Sequence, residues 1–331
     1  MLLSVLYHRD LLFMDAAERK NVFSRIGFAL CAGMLTSAVL GLFLVRPLND
    51  PQHLKDMLFR FGASAVYFYI YLPNLLGMLV IWLLLRDLPS ENREVIKMQD
   101  EKLMKIFAAM YTASILMNMI GVYLSNLFPA HGSQQLTAIS SMVRSGTASG
   151  ILIPVFIGPV LEELLFRKLL IDRTSRFGEK TAIVLTALCF GLYHGNLNQF
   201  MYAFTVGLFM AYVYCRTNRI LYTILMHIFL NGLSSMLLVI APASGQAADH
   251  SVEFILIGLF ILIITTLILG AIYLYRAVRH GVEFGEAGEE DIPKKEVLKT
   301  VFLNPGMLLM MTMSILKIVL NLFNIDLLTL F

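Results

Sequence analysis

The stretch ILIPVFIGPVLEELLFRKLLI (residues 151–171) is long and apolar enough to cross a bilayer, yet it carries Glu162, Glu163 and Arg167 in its second half. About 20 apolar residues span the hydrocarbon core. An isolated charge at mid-depth costs roughly 2.5–3.5 kcal/mol on insertion scales, so ionisable groups in such a stretch mark a functional site by default. Two further polar outliers follow in later apolar runs: His194, and His227 with Asn231.

The rest of the chain has the same character. It is 58% hydrophobic and only 15% charged, with a mean hydropathy of +0.73. That composition excludes an ordinary soluble domain. The apolar runs are continuous rather than alternating, and lipid admits only helices or closed barrels. An all-α, polytopic transmembrane bundle of about eight to nine spans follows. The runs fall near 23–45, 61–85, 106–128, 147–171, 181–197, 199–215, 220–240 and 253–275. A ninth, about 306–325, is interrupted by Lys317. Pro73 is expected to kink the second span. Three stretches are distinguished: 1–145 with the first helices and a charged loop, 146–240 as a core, and 241–331 with a last helix, a charged tail and the terminal apolar segment.

Lysine and arginine alternate by loop. The N-terminus carries Arg9, Arg19, Lys20 and Arg25, and Arg86, Arg93, Lys97, Lys102 and Lys105 crowd the second connection. The third connection holds only Arg144, and the 241–252 loop holds none. The positive-inside rule then puts the N-terminus and the tail from 276 in the cytoplasm. The polar stretches 86–105 and 276–299 read as solvated helix or surface loop. The first apolar run breaks at His8-Arg9-Asp10, so no signal peptide is expected. Cys31, Cys189 and Cys215 lie in or beside apolar segments, as packing residues rather than disulfide partners.

Of the histidines, His8, His53, His131, His250 and His280 fall in loops, which leaves His194 and His227 within spans. Among acidic residues only Glu162, Glu163 and the near-terminal Asp326 sit clearly in apolar segments. Helical spacing divides their work. Glu163 and Arg167 are four apart and share a face, so they pair. Glu162 points about 100° away with no cation one turn along its own face. Glu162 is therefore left for chemistry, and a desolvated carboxylate suits a general base. Pro154 and Pro159 each remove a backbone donor and leave a carbonyl four residues earlier unpaired, as a helix lining a protein-enclosed or water-filled cavity tolerates. His227 and Asn231 share one helical face and can donate to a developing oxyanion. Phe190 shares a face with His194 and packs to orient it. At 1.5 Å per residue, Glu162, His227 and Asn231 lie on the order of 10–17 Å from the cytoplasmic ends, and His194 nearer 20 Å. Taken singly, each of these residues is also explained as interhelical glue; three such outliers within 70 residues are not.

Other intramembrane hydrolases leave signatures that are absent. There is no HExxH helix and no intramembrane aspartate pair. Ser145 is a loop residue beside Arg144, and Ser234 and Ser235 read as helix packing.

GPVLEELLFR (158–167) resembles the EExxxR motif of the CAAX-protease and bacteriocin-processing family, also called the abortive-infection family. FGLYH (190–194) is similar to its FxxxH motif and HIFLN (227–231) to its HxxxN motif, in the same order. Gly207 and the Arg216-Thr217-Asn218 turn agree too; Lys168 departs, standing where many relatives have glycine. The likeness covers about residues 150–232.

The resemblance implies an intramembrane endopeptidase in which Glu162 and His194 activate water while His227 and Asn231 stabilise the tetrahedral intermediate. Glu163 and Arg167 would hold the glutamate helix. No cofactor is expected; the alternative is zinc held by Glu162, His194 and His227, against which Asn231 is a poor zinc ligand. The expected substrate is a membrane-associated, lipidated or lipophilic peptide, with membrane lipids as surroundings, no nucleic-acid partner and a multi-pass place in the plasma membrane. The rival classes are a proteolytically silent immunity or scaffold protein and a proton-coupled transporter; against transport, no inverted repeat is visible.

Overall fold

The computed structural model describes residues 14–128, 148–240, 250–285, 291–323 and 325. His8, Arg9, His131, Arg144, Ser145 and Asp326, named above, lie outside the described residues. Among the described residues the chain is helical, with no strand.

Helix α1 (Ala16–Leu40) starts at a capping box: the Asp15 carboxylate accepts from the Glu18 amide at 2.7 Å, and the Glu18 carboxylate accepts from the Asp15 amide at 2.9 Å. Together these satisfy donors that a helix start leaves open. Helix α2 (Pro51–Leu85) starts at Asp50, with Pro51 in the first turn, where a missing N–H costs nothing. Its one non-helical residue is Gly62, at φ 76°. The break in this span therefore falls at Gly62, where glycine tolerates a left-handed backbone. Pro73 itself keeps helical dihedrals, and the Ser37 hydroxyl of α1 donates to its carbonyl at 3.1 Å.

Helix α3 is Asp100–Asn126. Helix α4 covers residues 148–174 and changes register twice. It is α-helical over Ala148–Leu152, π-wide over Ile153–Ile157, α-helical over Gly158–Glu163, π-wide over Leu164–Leu169 and α-helical again over Leu170–Thr174. Helices α5 (Glu179–Tyr193), α6 (Leu197–Thr217), α7 (Ile220–Ile240), α8 (His250–His280) and α9 (Pro305–Leu322) complete the bundle.

Six of these, α1, α2, α3, α7, α8 and α9, are long and apolar enough to cross a membrane. Among the described residues, six helices thus meet length and apolarity, against the eight to nine spans expected from apolar runs. The remainder are the core helices: α4 is broken, α5 has only 15 residues, and α6 carries Asn198, Gln199 and Arg216. Helix α6 lies against α3 and α5, α7 against α4, and α9 against α1 and α5. Phe23, Phe166, Leu170, Phe177, Leu185 and Phe190 form one continuous apolar core between them. Enclosed segments meet protein rather than lipid, so they need not be apolar throughout. Cys31 and Cys189 are buried and unpaired, as packing residues.

Residues 86–99 form the exposed loop their charge indicates, but the loop is anchored to the helices beneath it. Arg93 pairs with Asp172 at 2.9 Å, lies over the Tyr214 ring at 5.2 Å and donates to the Cys215 carbonyl at 3.2 Å. The Asn218 amide donates to the Arg93 carbonyl at 2.6 Å, and the Ile96 amide to the Thr217 carbonyl at 2.9 Å. Tyr214 also donates to Asp172 at 2.9 Å, and Lys168 pairs with that carboxylate at 2.8 Å. The loop therefore straps the ends of α4 and α6 together, and Lys168 has a partner of its own.

Candidate active site

The break in α4 sets the site. The Gly158 amide donates to the Ile153 carbonyl, five residues back. In that register the next donor would serve the Pro154 carbonyl, but the next residue is Pro159, which has none. The orphaned carbonyl is therefore that of Pro154 and not, as four-residue spacing predicts, that of Val155. Asn231 of α7 fills the vacancy, its side-chain amide donating to the Pro154 carbonyl at 3.0 Å. One of the two Asn231 amide protons thus ties α7 to α4, and the other is left for a second acceptor.

One turn further, Glu163 and Arg167 are both fully buried and meet at 3.1 Å. The guanidinium carbon lies 4.8 Å from the Phe190 ring centroid, over its face. A buried ion pair of this kind repays desolvation only when further contacts complete it. Glu163 gains one from α7: its second oxygen lies 3.0 Å from His227 Nδ1. A carboxylate only accepts, so Nδ1 carries the proton and Nε2 points away from Glu163. For Nε2 to donate in turn, His227 must hold a proton on both nitrogens.

Glu162 faces that second nitrogen. Its carboxylate lies 3.7 Å from His227 Nε2, just beyond hydrogen-bonding distance, and its side chain stays 22% exposed while that of Glu163 is 0% exposed. Two adjacent carboxylates thus occupy opposite environments, one sealed and paired, the other open to a ligand.

His194 sits one residue beyond the end of α5. Its Nδ1 lies 2.8 Å from the Phe190 carbonyl, to which it must donate, leaving Nε2 as an acceptor. The Phe190 ring stands edge-on to His194 at 5.0 Å and to His227 at 5.9 Å, separating the two imidazoles. Glu162 and His227 both lie within electrostatic reach of His194. The site therefore gathers Glu162, His194 and His227 around Phe190, with Asn231 one turn along α7.

Residues 144–233, which hold all of these side chains, match the model for "Type II CAAX prenyl endopeptidase Rce1-like" proteins. Over those residues the chain is similar to the CAAX-protease family. The chain is also 29% identical, over 117 residues, to the Bacillus subtilis (strain 168) protein described as "Putative membrane peptidase YdiL". That alignment covers 34% of this chain and 46% of the relative, so the chain matches less than half of that protein's length. No solved structure matches the chain at a significant level.

The matched region runs from α4 into α7, and the first three helices, α8 and α9 lie outside it. Both core imidazoles commit Nδ1 and leave Nε2 bare, as zinc-binding histidines do. Even so, among the described residues no three His, Cys, Asp or Glu side chains come together as a metal ion requires. The residues as arranged do not fit zinc, and no step below passes through one.

Sequence reasoning missed a residue outside this core. The Tyr71 hydroxyl of α2 lies 3.3 Å from where a side chain at Gly158 would begin, one turn before Glu162 on the same face. Tyr71, Tyr193 and Tyr202 all feel the charge of Glu162. A phenol within an otherwise apolar span (YFYIYLP, 67–73) was the available signal, but nothing in its spacing names a partner sixty or more positions away.

Proposed function

We propose that this chain is an intramembrane endopeptidase that hydrolyses peptide bonds of membrane-associated, lipidated or lipophilic peptides with a water activated by Glu162 and His194. The observation that carries the reading is the split between the adjacent glutamates: Glu163 is sealed against Arg167 and His227, whereas Glu162 is open and faces His227 Nε2 at 3.7 Å. The peptidase descriptions of the matched family and of the Bacillus relative support it.

In this reading Glu162 takes a proton from water as the oxygen attacks the scissile carbonyl. His194 Nε2 accepts from the same water and aims it. A doubly protonated His227, held through Nδ1 by Glu163, donates from Nε2 to the oxyanion, joined by the free amide proton of Asn231. Collapse of the intermediate returns the proton from Glu162 to the leaving amine. No cofactor enters these steps. The protein would act as a multi-pass protein of the plasma membrane with its N-terminus in the cytoplasm.

A non-proteolytic immunity or scaffold role is not favoured, since both comparisons carry peptidase descriptions. The test compares membrane and secreted peptidomes of cells bearing wild type or Glu162→Gln. Peptides present only with the wild type are expected; identical peptidomes, with both proteins inserted, would contradict the reading.

A further inference from the structure

Lys317, the charge that interrupts the last apolar segment, is not part of the matched core, yet it reaches the site. Helix α9 is seated on α1 at Gly27 and Gly306: a side chain on Gly27 would overlap the Gly306 backbone, one on Gly306 would overlap the Ser24 backbone, and the Gly306 amide donates to the Ser24 hydroxyl at 3.0 Å. That seat aims Lys317 at Gly195, the residue after His194. A methyl group on Gly195 would lie 2.6 Å from Lys317 Cε and 2.9 Å from Nζ. Gly195 also has φ 67°, a backbone conformation that side chains disfavour. Glycine is thus required there twice, once for the turn and once so that the lysine stem can lie across it.

The ammonium so placed acts on the field at His194 together with Glu162 and His227. Its side chain is exposed, and among the described residues no carboxylate pairs with it. Ionisable groups in spans pair with one another or mark ligand paths. A lysine that merely snorkels turns its head away from the protein towards the headgroups. This one lies inward over Gly195, beside the imidazole assigned to water activation.

We infer that Lys317 is a specificity-determining residue that binds a carboxylate of the substrate peptide next to the bond being cut. The inference rests on the peptidase reading and names the chemistry its substrate must carry. The full-length protein therefore selects peptides with a free carboxylate within reach of the scissile bond over their amides.

The test uses full-length Glu162→Gln protein in phosphatidylcholine nanodiscs and a dansylated leucine–valine hexapeptide, either as the free acid or as the carboxamide. The acid should bind roughly tenfold more tightly than the amide, a difference lost in Lys317→Met and kept in Lys317→Arg. Methionine makes α9 more apolar, so lost insertion is not the expected cause, and the arginine variant controls for it. Equal binding of acid and amide to the Lys317 protein, absence of binding included, overturns the inference, as does an acid preference that survives Lys317→Met. In a parallel set of nanodiscs that also contain phosphatidylglycerol, loss of bound phosphatidylglycerol in Lys317→Met with peptide binding unchanged also overturns it, by assigning the amine to lipid. Because every arm already lacks Glu162, failure of the catalytic reading is seen separately, as cleavage retained by Glu162→Gln.

Discussion

Glu163 and His227 lie 64 positions apart and meet at 3.0 Å between carboxylate oxygen and Nδ1, which fixes the imidazole so that its other nitrogen faces Glu162. This contact joins the sealed carboxylate of the EE pair, through the imidazole, to the open one. Removing it is expected to harm both stability and turnover.

Glu163→Gln leaves Arg167 buried without a counter-charge, and breaking one side of a buried pair costs about 3–5 kcal/mol. The single variant should unfold at markedly lower temperature. Glu163→Gln with Arg167→Met should regain most of that stability by removing the orphaned charge. Turnover should not return, because His227 has lost the carboxylate that orients it. Thermal unfolding and cleavage assays on the same preparations separate the two effects.

Asn231→Ala should act twice. It frees the Pro154 carbonyl, worth about 1–3 kcal/mol when left buried and unpaired, and it removes an oxyanion donor, worth about 10²–10³ in turnover. Asn231→Asp keeps the shape and has no proton for either acceptor while ionised, so it should resemble alanine. Full activity in Asn231→Asp would leave Asn231 as interhelical glue alone.

Gly158→Ala would press its methyl to 3.3 Å from the Tyr71 hydroxyl and 3.2 Å from the Ile153 carbonyl. The carbonyl belongs to the backbone and yields little, so lower thermal stability is expected. Tyr71→Phe removes one of the two obstructions. Stability of the double variant above the sum of the singles, a coupling of about 0.5 kcal/mol or more, would show that Tyr71 packs against the Glu162 face of α4.

Chelator treatment followed by elemental analysis should leave cleavage unchanged. Zinc present in stoichiometric amount and lost together with activity would instead make Glu162, His194 and His227 its ligands.

Much of this was legible in the sequence, because spacing fixes which residues share a helical face. Apolar runs marked the helices, and the four-residue step from Glu163 to Arg167 gave the ion pair. Spacing does not say what crosses from another helix. The contacts of His227 with Glu163 and of Asn231 with Pro154, 64 and 77 positions apart, depend on how α7 packs against α4. The π-wide turn over Ile153–Ile157 moved the orphaned carbonyl by one residue, a shift that a regular helical wheel hides. The 86–99 strap was hidden similarly, since Arg93 and Asp172 look like surface charges until the ends of α4 and α6 come together.

The most direct measurement is single-turnover cleavage of a membrane-embedded peptide by purified wild type and Glu162→Gln, reconstituted side by side with matched thermal unfolding. A rate at least about 10²-fold lower in Glu162→Gln is expected from the loss of a general base. Equal rates in two equally folded proteins would contradict the assignment of the open carboxylate as that base.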